Sequence, residues 1–446
     1  MTLSGSEGEE ESALPLQRNT SVHCQASLKL HVIYSRHVTP RKLYPWTALF
    51  LLTALNLLNY VDRTVLFAVL PLVEKEFHAT KAQLGLLTSA FLGCYMLSAP
   101  FTGPLAERFS RRRVIALGAA FWSGLTLLTA VTHTYSELLL RHTLVGVGEA
   151  VFSTIAPTFV VDLFPEEKRG RILGIFYLAI PVGSAAGFLL GGHLAPGHGW
   201  RFPFYVAALP GFLLALAIWF VPEPERGAGD SPSVSRRDTL RSLASNPAFW
   251  TANLGMAMMT FSLGGLQNWM PSFLSQERGY SLESANTVFG TIIVVDGIFA
   301  ALIGGWLGDR LLPRMKGAYY FVSAVGMALG VPAMVLALFF RGSVMVPAIW
   351  VAAFFLLLNM APLNAALINA VGPHIRTTAL AVNIFLIHIL GDVPSPPMMG
   401  YVADRSSLQT SFILPVIAMV LSSAILFYGM RFAPSVRVNS AEASQA

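Results

Sequence analysis

The sequence predicts an all-α polytopic membrane protein: twelve transmembrane helices in two pseudo-symmetric six-helix bundles. Three observations lead there. The 446 residues are 54% hydrophobic and only 12% charged, where soluble domains average about a quarter charged. Apolar runs of about 20 residues recur along most of the chain, the length that a bilayer core of about 30 Å requires of a helix. A loop signature in the first half returns at the equivalent place in the second. A transmembrane β-barrel would instead show alternating segments of about ten residues, and the sequence has none.

Residues 1–43 carry "GSEGEEES" at 5–12 and lack a secretory apolar region, so they read as a flexible cytoplasmic tail. The first bundle covers 44–221, with spans expected at 44–71, 83–105, 113–133, 138–161, 171–195 and 202–221. The first span is apolar from Trp46 to Leu72 except around "LLNYVDRTVL", where Asp62 and Arg63 are adjacent. The fourth carries Glu149 between Gly148 and Ala150. The fifth carries Gly183, Gly187 and Gly191, a spacing suited to close helix packing. Residues 222–247, "PEPERGAGDSPSVSRRDTLRSLASNP", have the Pro, Gly, Ser and charge content of a cytoplasmic linker. The second bundle covers 248–431, with spans at 248–274, 285–308, 318–340, 344–370, 377–402 and 410–430. Its seventh span holds Asn253, Gln267 and Asn268, its eighth Asp296, its tenth Asn359, Asn364 and Asn369. The eleventh holds His388 and Asp392 just before "PSPP", whose missing backbone donors predict a kink. Residues 432–446 form a second tail.

Loop charge orients the chain. Of the 30 Lys and Arg, Lys75, Lys81, Arg201, Arg278, Arg341 and Arg405 fall on one side, and Arg63 and Arg141 lie within spans. All the others fall on the side of the N-terminus, which predicts that both termini are cytoplasmic. The net charge of +6 is thereby explained by topology, not by nucleic acid. The two cysteines, Cys24 and Cys94, imply neither a disulfide framework nor a metal site.

"GPLAERFSRRR" at 103–113 and "GWLGDRLLPRM" at 305–315 share Gly-x-Leu-x-acid-Arg-x-x-x-Arg. Repeated halves are the build of a rocking transporter with its site at their interface. The signature resembles the loop motif of the major facilitator superfamily, with Glu107 where that superfamily usually has Asp. The resemblance implies that Gly103, Glu107, Arg108 and Arg112, with Gly305, Asp309, Arg310 and Arg314, act as conformational loop motifs, Gly103 letting the helix end turn.

Within the superfamily the chain resembles the spinster family. The resemblance rests on "NYVDR" at 59–63, "LVGVGEAVFSTIAPT" at 144–158, "DLFPEEKRGRILGIFYLAIPVGSAAG" at 162–187 and "HILGDVPSPPMMG" at 388–400. It implies a lipid transporter of the kind associated with lysophospholipids and sphingosine phosphate, proton-linked in some members. It also marks "NYVDR" and "VGxGEA" as the coupling region.

Ionisable residues deep in spans are functional candidates, because placing charge there costs several kcal/mol on most scales. Neighbours on a helix point about 100° apart, so Asp62 and Arg63 must find separate partners. Asn56, Asn59 and Arg63 share one stripe, and Glu149 is the natural counter-charge for Arg63. His142, Gly146, Glu149 and Ser153 share a face of the fourth span. The balance of desolvation against a nearby cation decides whether a buried carboxyl holds a proton, so Asp62, Glu149 and His142 are the proton-coupling candidates. The family typically has Arg where His142 stands, and Arg141 points away from that face. Arg63, Asn59, Ser153, His388, Asp392 and Asn268 are the substrate-binding candidates. Asp296 reads as a packing contact.

The expected function is secondary active transport by alternating access, proton-linked as the resemblance implies, of a lysophospholipid- or sphingosine-phosphate-like amphiphile. The alternative in the same fold is proton-linked efflux of another organic anion or drug-like molecule. An enzyme is disfavoured, because the spans carry neither "HExxH" nor "GxSxG". A channel is disfavoured by the repeat and by Pro and Gly in many spans. No cofactor or metal is expected beyond the proton as coupling ion. The expected partners are the lipid-like or organic-anion substrate and the bilayer, with no nucleic acid and a monomeric state. The expected location is an integral membrane protein, in the plasma (inner) membrane if bacterial.

Overall fold

In a computed structural model, the described residues are 44–224, 236–372 and 375–434; of 236–238 and 377 only the backbone is described. The tail 1–43, most of the C-terminal tail and linker residues 225–235 lie outside them. Among the described residues, those from 48 onward form one compact unit, and of 1–47 only the opening turn of α1 is described.

The described chain is helical. The first bundle comprises α1 (Tyr44–Phe77), α2 (Lys81–Arg108), α3 (Arg111–Thr129), α4 (Tyr135–Asp162), the pair α5 (Arg169–Tyr177) and α6 (Ala179–His198), and α7 (Phe202–Trp219). A short helix, α8 (Arg236–Ala244), precedes the second bundle. That bundle comprises α9 (Pro247–Glu277), α10 (Leu282–Leu311), α11 (Ala318–Phe339), the pair α12 (Met345–Leu357) and α13 (Met360–Asn369), the pair α14 (Arg376–Ile387) and α15 (Ser395–Arg405), and α16 (Leu408–Ser411) leading into α17 (Ile413–Gly429). Counting each broken helix as one, ten described segments are long and apolar enough to cross a membrane. The remaining two of the expected twelve are α3, which starts with Arg111, Arg112 and Arg113, and the more polar α9.

Three features differ from the sequence reading. The linker contains α8, whose Thr239 and Leu243 are buried at a helical spacing of four, so part of it packs. The turn assigned to Gly103 falls later: α2 runs on to Arg108, and a Cβ on Gly103 would meet open space. The kink at "PSPP" lies one turn earlier than the prolines, as a π-helix over His388–Asp392. There the Val393 amide reaches back to the His388 carbonyl at 3.1 Å, and the chain enters α15 with Pro394 in helical geometry. The Val393 carbonyl accepts from Ser89 and the Pro396 carbonyl from Trp269 (3.0 Å), so these carbonyls near the break are satisfied by side chains.

Helices in lipid gain little from hydrophobic burial against each other, so close backbone approach matters more. α6 lies against α1 through Gly183, Gly187 and Gly191, beside the Leu57 and Val61 carbonyls and Ala68. α4 is wedged between α2 and α3. A Cβ on Gly146 would come within 2.9 Å of the Tyr95 amide, and one on Gly148 within 2.7 Å of the Gly118 carbonyl. The pair Gly146 and Gly148 therefore serves helix packing.

The halves repeat a tie. At the end of α1, Glu76 accepts from Trp200 (2.7 Å) and Arg201 (2.6 and 2.8 Å) at the start of α7. At the end of α9, Glu277 accepts from the Leu408 (2.6 Å) and Gln409 (3.0 Å) amides at the start of α16.

Candidate functional site

Midway along α1, Asp62 and Arg63 turn to different helices. Arg63 Nε donates to Glu149 Oε2 of α4 at 2.7 Å, with the carboxylate fully buried and the guanidinium side chain 15% exposed. Asp62 is 3% exposed and Oδ2 accepts from Thr126 of α3 at 3.2 Å. Helix geometry separates the two side chains, and the tight wedge of α4 between α2 and α3 supplies both partners. Asn59, one turn before Arg63, lies fully buried beside the Glu149 carboxylate.

Aromatic rings surround the cation. The Arg63 guanidinium lies 4.9 Å from the Tyr60 ring centroid, 5.3 Å from Phe91 and 5.0 Å from Tyr95. Such faces stabilise a desolvated guanidinium by roughly 2 kcal/mol. Two of the rings lead outward. Phe91 stacks on His142 with centroids 5.2 Å apart. Tyr95 meets His388 of the second half edge-on at 6.3 Å. His388 Nδ1 in turn contacts both Asp392 carboxylate oxygens, at 2.8 and 3.0 Å, across the π-turn. Gly264 of α9 presses on Asp392, so the π-turn is seated on α9.

The structure thus gathers Asp62, Arg63, Asn59 and Glu149 directly, and joins His142 and the His388–Asp392 pair through Phe91 and Tyr95. His142 is buried with no hydrogen bond or ion pair among the described residues. Arg141 is engaged elsewhere, with the Leu128 carbonyl at 2.6 Å and Glu137 at 3.5 Å. Ser153 is half-buried on α4, one turn beyond Glu149. Asn56 ties α1 to α5 by donating to the Phe176 carbonyl at 2.9 Å. Asn268 sits apart from the cluster, fully buried and accepting from Thr88 of the first half at 2.6 Å. Asn253, Asn359 and Asn364 each donate to a carbonyl of their own helical turn. Asp296 is buried in α10, with Oδ2 unpaired.

Of the loop motif residues, Arg112 donates to the Val221 carbonyl at 2.9 Å and Asp309 accepts from Tyr319 at 2.7 Å. Arg310 covers the Trp306 ring at 5.6 Å. Glu107, Arg108 and Arg314 lie on the exposed rim, while Gly305 makes an ordinary contact with Ala361. Sequence reasoning missed Tyr60, Phe91, Tyr95 and Thr126. Tyr60 was findable, three residues before Arg63 on the same helix face. Nothing in one sequence says which faces of α2 and α3 meet α1.

Hydrogen bonds and ion pairs between the halves, among the described residues, lie at the end of the bundle away from the start of α1. Asp404 accepts from the Lys81 (2.7 Å) and Ala82 (2.9 Å) amides at the head of α2. Gln276 donates to Glu74 (2.7 Å), Asn286 to the Ala68 carbonyl (3.1 Å), and His193 lies 3.3 Å from Glu283.

The chain is similar to known proteins in sequence and fold. A sequence profile described as Major Facilitator Superfamily matches residues 52–391. Protein spinster homolog 1 of Homo sapiens is 36% identical, over 79% of this chain and 71% of its own length. A sphingosine-1-phosphate transporter of Danio rerio is 33% identical, over 93% and 85%. Among solved structures, a bacterial homolog of the human lysosomal transporter spinster, in an inward-facing and unoccupied conformation, superposes with a TM-score of 0.80. It is 24% identical, and the match covers 88% of this chain and 98% of that one. A D-xylose-proton symporter shares the fold at a TM-score of 0.68 and 17% identity, over 88% and 99%.

Proposed function

The chain belongs to the spinster family of the major facilitator superfamily and is a membrane transporter, not an enzyme; on that premise we propose that it is a proton-linked carrier of a single-chain anionic amphiphile. The cargo class is a lysophospholipid or sphingosine-phosphate-like molecule. The observation that carries the proposal is the Arg63–Glu149 pair, walled by Tyr60, Phe91 and Tyr95 and linked through Tyr95 to His388 of the other half. An anionic head competes with Glu149 for the guanidinium, while the aromatic faces accept the adjoining alkyl chain. A carboxylate deprived of its counter-ion in such a buried site is too costly to persist and takes up a proton. Substrate and proton occupancy are thereby tied to one arginine. Asp62, held by Thr126 on the neighbouring surface, is the second proton carrier, and His142 reports the cation's state through Phe91. His388 and Asp392 provide contacts from the second half. Both termini face the cytoplasm, and the protein acts as a monomer.

The test is flux in proteoliposomes, with a lysophospholipid, sphingosine phosphate and soluble organic anions, each with and without an imposed pH gradient. Gradient-driven flux of a single-chain lipid, lost in Glu149→Gln and Asp62→Asn, is the expected outcome. Undiminished gradient-driven flux in both variants would overturn the proton assignment, and transport of soluble anions alone would overturn the cargo class.

A further inference from the structure

We propose that a cleft on the flank of the first bundle holds an anionic two-chain phospholipid as a resident ligand, distinct from any transported molecule. The cleft encloses about 550 Å³ between α2, α3, α4 and α7. Its walls are almost wholly apolar: Leu105, Leu117, Phe121, Val151 and Trp219 contribute. Leu117 and Phe121 are exposed on α3, the third of the spans expected from the sequence, so the open side of the cleft suits acyl chains.

One charge marks the occupant. Arg113 is the charged residue of the lining. It is the third of three consecutive arginines at the start of α3, and the other two are engaged. Arg111 pairs with Asp162 at 2.6 Å and with Glu223 at 3.5 Å, and Arg112 donates to the Val221 carbonyl. Arg113 has only the Trp219 ring, 5.8 Å away, and no carboxylate among the described residues. An uncompensated guanidinium beside an interfacial tryptophan, at the end of an apolar cleft, complements a headgroup phosphate with a chain below it.

The floor of the cleft is the crossing of Gly118 with Gly148, where a Cβ on Gly118 would lie 3.2 Å from the Gly148 carbonyl. Glu149 follows Gly148 in the chain, and α3 also supplies Thr126 to Asp62. An acyl chain in the cleft therefore supports, from outside, the crossing that places both carboxylates.

The experiment is native mass spectrometry of the full chain reconstituted in mixed phosphatidylcholine and phosphatidylglycerol vesicles, with a tail-photoactivatable phosphatidylglycerol to map the contact. Wild type is expected to retain phosphatidylglycerol over phosphatidylcholine and to cross-link within 113–121 or 147–151. Arg113→Gln is expected to lower retention about fivefold, the effect of one basic side chain near an anionic surface. Leu117→Trp, which fills the cleft and keeps the cation, is expected to abolish the cross-link, and Arg171→Gln on the same side to leave retention unchanged. Equal retention in Arg113→Gln and wild type, equal retention of the two phospholipids, displacement by a single-chain lysolipid, or cross-links between protein copies would each overturn the proposal.

Discussion

Arg63 is held by one carboxylate and three ring faces, and those contacts set the cost of removing it. In Arg63→Ala the fully buried Glu149 loses its counter-charge, so we expect a loss of roughly 3 kcal/mol in thermal or denaturant unfolding. Because the cost comes from the stranded carboxylate, adding Glu149→Gln should restore part of it, and a double-mutant cycle measures the coupling. Equal destabilisation in the single and double variants would contradict the pairing. Asp296 presents the opposite case. Its Oδ2 lies buried without a partner, so Asp296→Asn should leave stability unchanged or higher and should leave flux intact. The Arg63–Glu149 partnership was legible in the sequence as two charges deep in spans. The ring cage was not, because an aromatic in an apolar helix looks the same whether it faces a cation, another helix or lipid.

Helix-to-helix fit depends on a few positions where backbone meets backbone. Gly148→Val would push against the Gly118 carbonyl and Trp122. We expect a loss of about 1–3 kcal/mol in unfolding assays, with transport impaired because Glu149 shifts with its helix. The junction of α3 with the end of α7 is electrostatic. Burial opposes ionisation of Glu223, but the Ser110 hydroxyl, the Arg111 amide and the Arg111 guanidinium outweigh it and hold the carboxyl below its ordinary 4.5. The folded state thus binds this proton more weakly than the unfolded state. Its contribution is full above the unfolded value and is lost as pH falls through the lower folded value. Hydrogen exchange at the Arg111 amide should rise in that acidic window relative to the intrinsic rate, and Glu223→Gln should remove the dependence. The loop signature was visible in the sequence, but the partners of Arg111 and Arg112 come from segments far away in the chain, while Asp309 meets Tyr319 across the next turn.

Between the halves, the end away from the start of α1 carries polar contacts beside apolar packing such as that of Phe188 on Phe289. Asp404 caps the head of α2 across the interface, a contact worth about 1 kcal/mol. Asp404→Ala should therefore shift the population severalfold toward a state open at that end. Spin-label distances between α2 and α15 in nanodiscs would report it, and an unchanged distribution would show that the cap does not bias the equilibrium. Combining Asp404→Ala with Thr88→Val should shift it further, since Thr88 gives Asn268 a second cross-half bond at 2.6 Å.

By itself the sequence determined the all-α membrane class, the two related halves and the charged positions worth suspecting. Those properties rest on hydropathy, periodicity and the cost of buried charge, which are local. Only the tertiary structure decided that α8 forms in the linker and that the break expected at the prolines takes the form of a π-turn just before them. It also decided that Asn268 bonds to the first half through Thr88 and that, of the three adjacent arginines opening α3, Arg113 is the one with only a ring for a partner among the described residues. Each depends on which groups from distant segments compete for one donor, acceptor or ring face, and a linear chain does not encode that competition in any single stretch.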